Sequence, residues 1–219
     1  MLGVYGLAGA GRTRFCRTLY GLEKMTGGQI VLDGRPYRPS SPAFAIGQGI
    51  AYLTEERKKD GFIPNMSSLT NAVLPILRRF RQGGMINHRQ ADQRARSILH
   101  SLHTLGALRG PMQSLSGGNQ QKVLFARVIG QQAKLILLDE PTKGVDIGAK
   151  ADIYRIIRRL ADDGCCVIMV SSEEEELLDV ADVITVFRHG RCDGALYPVS
   201  ALTPAMLRKA AWDAEPAVA

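Results

Sequence analysis

The chain has no long hydrophobic run, few aromatic residues and few cysteines, and each shortage excludes a class of protein. No apolar stretch reaches the roughly 18 residues that a membrane-spanning helix needs, and the first residues do not resemble a signal peptide. Aromatic residues make up 6% of the chain, which disfavours a base-stacking surface for nucleic acid. The four cysteines have no metal-ligand spacing, so we expect free thiols. We therefore expect a cytoplasmic protein that reaches a membrane only through a partner.

The bulk composition is that of an ordinary globular protein, with 45% hydrophobic and 22% charged residues. A length of 219 residues is enough for one domain that includes an inserted subdomain. The net charge of +7 is scattered, apart from one arginine-rich segment. Such arginines are more typical of a solvated helix face or a protein-docking surface, so we expect no nucleic-acid partner. The segment contains Arg78, Arg79, Arg81, Arg89, Arg94 and Arg96.

Strand-like apolar runs alternate with helical patterns, which predicts an α/β protein with a parallel sheet. Isoleucine and leucine at helical spacing predict an amphipathic helix from about Asp146 to Asp162, which Gly164 ends. A short strand over Gly28–Gly34 should include a turn at Asp33-Gly34. The predicted strands of the sheet are Leu2–Tyr5, Ile50–Leu53, Leu135–Leu138, Cys166–Val170 and Val183–Phe187.

The segment from Gly61 to Gln113 differs from the rest because it lacks strong strand runs. It has a polar, arginine-rich helical pattern between Asn87 and Leu105, bounded by glycine and proline breakers. We interpret it as a helical insertion into a single domain that spans residues 1–219. The core of that domain would then consist of residues 1–60 and 114–219.

A glycine-rich loop follows the first predicted strand and opens a helix, which is the context of a phosphate-binding loop. Its sequence matches G-x-x-x-x-G-K-[ST], except that Arg12 stands where lysine is expected. Arginine keeps the charge, but its planar fork is larger than a compact ammonium, so nucleotide binding is easier to retain than fast phosphoryl transfer. The Thr13 hydroxyl is the expected Mg²⁺ ligand. The alternative is a turn without a ligand. The candidate nucleotide-binding residues are Gly6, Gly9, Ala10, Gly11, Arg12 and Thr13.

Two further motifs follow in a fixed order. In Leu115–Gln121, a serine and two glycines stand at a predicted helix start, where free N–H groups and the helix dipole attract anions. About twenty residues later, the apolar run Leu135–Leu138 ends in Asp139 and Glu140, as a buried parallel strand that delivers carboxylates to the sheet edge would. In this order and spacing, the pair resembles the signature motif and the Walker B motif of ATP-binding-cassette (ABC) ATPases.

Within that family, the chain resembles the second cassette of bacterial ribose, galactose or xylose import ATPases, in which two cassettes are fused. The resemblance covers essentially the whole chain and is carried by Glu55–Gly61, Ser116–Lys122, Asp139–Lys150 and Val170–Glu173. It implies a P-loop NTPase fold: a RecA-like parallel sheet core with an inserted helical subdomain and a remnant antiparallel β element. It also implies ATP and Mg²⁺ as cofactors, with the metal held by Thr13 and Asp139.

The resemblance assigns a role to each motif. Asp139 would hold Mg²⁺ through water, and Glu140 would polarise the attacking water as a base; the alternative is a strand end that turns into solvent. Ser116, Gly117 and Gly118 would close over the ATP of a second cassette paired head to tail, or they simply cap a helix. Asp146 would lie in the loop that crosses to that partner, and it is equally a helix N-cap.

Three residues depart from the family's usual pattern. Besides Arg12, Glu55 stands where a glutamine is usual, and Ser172 stands where a histidine that contacts the γ-phosphate is usual. Serine is too short for that contact, and Ser172 with Glu173–Glu176 is more simply a cap and acidic first turn of a helix. The chain also starts without the β-strands and adenine-stacking aromatic that precede the first strand in the family, so it resembles an N-terminally truncated cassette.

The sequence therefore predicts the ATP-hydrolysing, energy-coupling subunit of a bacterial carbohydrate importer, with a degenerate site of its own. The expected partners are a second cassette, membrane permease subunits and, indirectly, a periplasmic or lipid-anchored sugar-binding protein. Its expected place is the cytoplasmic face of the cell membrane, as a peripheral protein. One alternative is a catalytically weak partner that supplies its signature motif in trans. Another is a soluble ABC protein that acts on nucleic acid, which the absence of a coiled-coil pattern disfavours.

Overall fold

The computed structural model describes residues 1–192 and 194–212, which form a mostly parallel sheet with helices on both faces. Short strand runs rich in valine, isoleucine and leucine form the central strands because both of their faces are buried. The strands are β1 (Leu2–Gly6), β2 (Ile30–Leu32), β3 (Arg35–Tyr37), β4 (Ile50–Leu53), β5 (Arg81–Gln82), β6 (Met85–Ile86), β7 (Leu135–Asp139), β8 (Cys166–Ser171), β9 (Val183–Arg188), β10 (Arg191–Cys192) and β11 (Tyr197–Pro198).

The helices connect these strands and cover the sheet. Within residues 1–192 and 194–212, three 3₁₀ segments (Leu74–Phe80, Met112–Ser114 and Val199–Ala201) and one π-helical turn (Arg57–Gly61) lie between them. The α-helices are α1 (Arg12–Leu19), α2 (Pro42–Gly47), α3 (Ser68–Val73), α4 (His88–Ser101), α5 (Gly117–Gln131), α6 (Ile147–Asp162), α7 (Glu174–Val180) and α8 (Pro204–Trp212).

The main sheet has the strand order β10-β9-β1-β8-β7-β4, and β11 also pairs with β9. The pairs from β9 to β4 are parallel, whereas β10 and β11 run antiparallel to β9. The carboxyl ends of β1, β4, β7 and β8 therefore meet at one edge, where ligands bind in open α/β sheets. This arrangement brings the phosphate loop, Glu55, Asp139 and Ser172 to the same edge, although they are far apart in sequence.

Alternate residues of the central strands enter two separate hydrophobic clusters. In β7, Ile136 and Leu138 pack into the larger cluster with α5 and α6, whereas Leu137 packs on the opposite face with Val4 and Cys16. Burial on both faces explains why β7 is a continuous apolar run rather than an alternating one. The fold class predicted from the sequence is confirmed, including an antiparallel β2–β3 hairpin that turns at Asp33-Gly34.

The five predicted strands of the sheet are present, with bounds within one residue of the expectation. The predicted helix that begins near Asn87 ends at Ser101 rather than Leu105, and His103 then takes a left-handed φ of 50°. Between Gly61 and Gln113, helices α3 and α4 accompany a small β5–β6 hairpin, and both helices pack against α5. The subdomain bounds at Gly61 and Gln113 stay a prediction. Within the described ranges, no helix is long and apolar enough to span a membrane.

Candidate nucleotide site at the carboxyl edge of the sheet

The phosphate loop leaves β1 at Gly6 and wraps the first turn of α1. Gly11, the N-cap of α1, has φ 95°, a left-handed conformation that favours glycine. A side chain at Gly6 would place its Cβ 2.5 Å from the Phe187 carbonyl, so only glycine fits there. The loop borders an open cavity of about 1050 Å³. Eight predicted site residues line it: Gly9, Ala10, Gly11, Arg12, Thr13, Glu55, Glu140 and Ser172.

Thr13 lines this cavity, whereas Asp139 does not line it and contacts Thr13 from behind. The Thr13 hydroxyl lies 3.2 Å from Asp139 Oδ1 and 3.3 Å from Glu55 Oε2. Asp139 is fully buried, and Tyr52 donates a 2.9 Å hydrogen bond to its Oδ2. Burial raises the pKa of Asp139 to about 6, and the hydrogen bonds from Tyr52 and Thr13 partly oppose this rise. A cation bound nearby would therefore stabilise the ionised form of Asp139.

These oxygen donors fit Mg²⁺, which prefers hard oxygen ligands and keeps several waters or phosphate oxygens. The Thr13 hydroxyl has one carboxylate oxygen of Asp139 and one of Glu55 within 3.3 Å. In the part of the chain that the structure describes, no group of three or more His, Cys, Asp or Glu side chains could hold a metal alone. A metal here would therefore take its remaining ligands from water and from a phosphate-bearing molecule.

Arg12 contacts the candidate base. Its guanidinium Nη1 lies 3.1 Å from Glu140 Oε1, and the two side chains are only 8% and 10% exposed. The contact is an ion pair without hydrogen-bond alignment, since Nη1 has no hydrogen-bond acceptor. Glu140 itself takes a left-handed φ of 48°, which turns the chain away from β7 toward the cavity. Arg12, the cation that the sequence predicts to bind phosphate, is thus paired with Glu140, the carboxylate that the sequence predicts to activate water.

A second cation, Lys143, also lines the cavity. Its Nζ lies 2.5 Å from Glu55 Oε1. The other oxygen of the same carboxylate, Oε2, contacts Thr13. The hydrogen bond and charge of Glu55 raise the pKa of Lys143, so it stays protonated. Sequence reasoning missed Lys143 and Tyr52 as site residues. Their signals were available: Lys143 lies three residues after Glu140, and Tyr52 lies on the strand that pairs with β7.

Ser172 also lines the cavity, but its predicted role as a helix cap is wrong. The Ser171 hydroxyl, rather than that of Ser172, accepts from the Glu173 backbone N–H at 3.0 Å. Ser171 points inward at the end of β8 because successive strand residues face opposite sides, which leaves Ser172 exposed. Helix α7 does have an acidic first turn, as predicted, although Glu176 is buried rather than solvated.

The Ser116–Gly118 segment begins α5 and does not line this cavity. Ser116 is the N-cap, and its hydroxyl accepts from the Asn119 side-chain amide at 2.9 Å. A Cβ at Gly118 would lie 2.7 Å from the Ala149 Cβ, so the glycine allows α5 to approach α6 closely. Arg57 fixes this junction by donating to the carbonyls of Gly117 and Gly144 at 3.1 and 3.3 Å. The role of Arg57 was not predicted.

Asp146 caps α6. Its Oδ1 accepts from the Ala149 backbone N–H at 2.9 Å, which satisfies one of the free donors of the first turn. The capping interpretation is therefore correct, and it leaves the second carboxylate oxygen and the exposed loop around it available to a partner. Asp146 does not line the cavity of its own chain.

Comparisons with known proteins agree with this geometry. Residues 1–143 match the ABC transporter family. The chain is 42% identical over 197 residues to a putative ribose/galactose/methyl galactoside import ATP-binding protein of Pseudomonas fluorescens, covering 90% of this chain and 38% of that protein. It is 41% identical over 198 residues to a ribose import ATP-binding protein of Bacillus cereus, covering 90% and 40%. The chain therefore spans less than half the length of these relatives.

Solved structures show the same fold at low sequence identity. A dimeric ATP-binding cassette in a post-hydrolysis state, bound to ADP and Pi, superposes with a TM-score of 0.76 at 21% identity over 91% of this chain and 85% of that one. An ATP-binding cassette of an ABC transporter in its ADP conformation gives 0.76 at 19% identity over 97% and 84%. By its family match, its relatives and the position of its motifs, the chain belongs to the ABC transporter family of ATP-binding cassettes.

Proposed function

We propose that the chain is a cassette of the ATP-binding, energy-coupling subunit of a bacterial carbohydrate importer. The contact between Thr13 and Asp139 beneath a phosphate-type loop carries this proposal, since it joins the hydroxyl and carboxylate that hold hydrated Mg²⁺ in P-loop enzymes. The names of its relatives, which are import ATP-binding proteins for ribose or for ribose, galactose and methyl galactoside, support a sugar as the cargo. The sugar itself would be selected by a binding protein and a permease at the membrane, where this cassette would attach on the cytoplasmic face.

In this proposal, the loop from Gly6 to Thr13 binds the phosphates of ATP with its backbone N–H groups and the N-terminus of α1. Thr13, Asp139 and Glu55 would hold Mg²⁺, which neutralises the phosphate charge that develops during transfer. Glu140 lines the cavity wall, and it would act as the base for the attacking water. Its ion pair with Arg12 must open before the carboxylate can accept a proton and the guanidinium can reach a phosphate.

The ion pair supports a specific form of this function, in which the chain's own site is weak and its signature segment serves a partner. Ser116, Gly117 and Gly118 do not line their own cavity, so they would act on nucleotide held by a second cassette paired head to tail. The Ser116 hydroxyl and the free N–H groups of the first turn of α5 are the groups that would meet its γ-phosphate. The adjacent Asp146 loop would cross to the same partner.

The test compares single substitutions in the reconstituted pair of cassettes with its permease, with ATPase rate as the measurement. Ser116→Arg should abolish hydrolysis, because bulk and charge would obstruct the helix N-terminus that meets the partner's phosphate. Glu140→Gln should cost much less, because that carboxylate serves the weak site. Ser40→Arg adds the same charge at another exposed serine and is the matched control. Equal losses from Ser116→Arg and Glu140→Gln would mean that both sites turn over, and the division of labour would be abandoned.

A further inference from the structure

Glu176 is a buried carboxylate that the proposed chemistry does not use. It lies on α7, is 3% exposed, and accepts hydrogen bonds from four side chains on three other segments. Burial raises the pKa of a carboxyl, but here the hydrogen bonds and the cation of Lys150 outweigh it and hold the pKa of Glu176 below its ordinary value. The group is thus a buried anion, and a buried anion is retained only where its partners are fixed.

The two oxygens of this carboxylate contact different parts of the nucleotide cavity's wall. Oε1 accepts from the Thr142 hydroxyl, and also from Lys150 Nζ and the Tyr154 hydroxyl of α6, both at 2.9 Å. Oε2 accepts from the Ser171 hydroxyl at 2.9 Å. Glu176 therefore connects two loops that have no strand pairing with each other beyond the ends of β7 and β8.

Both loops carry residues that face nucleotide or partner. We name the first loop, residues 140–146, the base loop, because it runs from Glu140 through Thr142 to Asp146. We name the second, residues 171–173, the switch loop, because it presents Ser172 to the cavity. Thr142 is 1% exposed and Ser171 is fully buried, so neither hydroxyl has water as an alternative partner. Without the shared carboxylate, each buried hydroxyl would lose the acceptor of its proton, which favours opening of that loop.

We propose that Glu176 is a positioning residue that ties the base loop to the switch loop, so that the two loops hold one relative position on the cavity wall. A displacement of the Thr142 or the Ser171 hydroxyl would weaken its hydrogen bond to the same carboxylate. Lys150 and Tyr154 hold that carboxylate against α6. The consequence for hydrolysis rests on the proposed function, since it requires nucleotide in the cavity. The tie itself does not require nucleotide and can be tested without it.

The test measures amide hydrogen exchange in the folded, nucleotide-free chain. A substitution is made in one loop, and the exchange rate is measured in the other loop. In the base loop, the Lys143 and Val145 amides donate to the carbonyls of Glu140 and Thr142, so they report its opening. Ser171→Ala should speed their exchange about tenfold, and Thr142→Val should speed exchange of the switch loop by a similar factor. Thr142→Ser keeps the hydroxyl, so the switch loop of this variant should exchange at the wild-type rate. Glu175→Gln alters an exposed carboxylate on the same helix and is the control.

Glu176→Gln should loosen both loops together and remove the effect of Thr142→Val on the switch loop. If Glu176→Gln does not fold, the two hydroxyl substitutions decide the matter alone. Exchange that rises only in the substituted loop, or equally throughout the chain, would refute the proposal that Glu176 couples the two loops. In the reconstituted pair, Thr142→Val should lower turnover about tenfold with an unchanged KM, because the loosened base loop carries Asp146, which would cross to the partner cassette in the proposed function. A pair without any ATPase would count against the proposed function, whereas the exchange results would still decide the tie.

Discussion

The ion pair between Arg12 and Glu140 makes a direct prediction about nucleotide affinity. Arg12→Lys replaces the planar fork by a compact ammonium that fits against phosphates and no longer spans to Glu140. The pair is largely buried but borders an open cavity, so its opening should cost more than that of a surface pair and less than that of one in a core. We take this cost as about 1.4 kcal/mol, which corresponds to about tenfold in Kd.

We therefore expect Arg12→Lys to tighten ATP binding roughly tenfold, measured by calorimetry or by titration with a fluorescent nucleotide at fixed Mg²⁺. Turnover should rise by a smaller factor, because Ser172 remains too short to contact the γ-phosphate. Arg12→Met is the matched control: it also releases Glu140 but supplies no charge, so it should bind ATP more weakly than the wild type.

A double-mutant cycle identifies the cause of the gain. Glu140→Gln removes the partner charge, so Arg12 no longer has to leave an ion pair before it binds phosphate. In the Glu140→Gln background, Arg12→Lys should therefore improve binding by much less than tenfold. An equal improvement in both backgrounds would show that the ion pair does not limit affinity. Unchanged or weaker binding by Arg12→Lys itself would refute the reasoning outright.

Three further predictions concern pH, packing and isolated activity. Because the folded-state pKa of Asp139 is raised to about 6, its ionisation costs more in the folded than in the unfolded chain. Without Mg²⁺, the free energy of unfolding should thus fall by up to about 3 kcal/mol between about pH 4 and pH 8, relative to Asp139→Asn in urea titrations; parallel curves would contradict this. Gly118→Ala should destabilise by about 1–3 kcal/mol through its clash with Ala149, whereas Gly47→Ala, in open space on α2, should not destabilise. The isolated chain should hydrolyse ATP far below the roughly 1 per second of slow kinases, and a rate near that value would mean that the three departures matter little.

The sequence alone determined the elements of the core and the order of the motifs. The apolar runs that became β1, β4, β7, β8 and β9 were identifiable because buried parallel strands require them on both faces. The phosphate loop was also recognisable from the sequence, because its glycines and Thr13 lie within a few consecutive residues. The helix cap at Asp146, one of the two roles that the sequence left open, rests on the same short-range chemistry.

The tertiary structure decided which charges meet. Arg12 and Glu140 lie 128 positions apart in the sequence, and their contact depends on the adjacency of β1, β8 and β7 in the sheet. The pairing of Lys143 with Glu55 and of Tyr52 with Asp139 likewise requires the carboxyl ends of different strands to converge. Sequence patterns report the periodicity of one element at a time, so they do not specify such pairs.

The different contacts of Ser171 and Ser172 show the same limit at the shortest range: the hydroxyl that accepts from the Glu173 N–H belongs to Ser171, and the N-cap of α7 is Glu173 itself, without a side-chain cap. Both serines suit a helix N-cap by composition, and the acidic run after them fits either choice. The strand pleat at the end of β8 decided the matter, because it turned Ser171 inward to Glu176 and left Ser172 facing the cavity. A shift of one residue in that strand would exchange the two, and only long-range sheet pairing, with Val170 opposite Asp139, fixes the register.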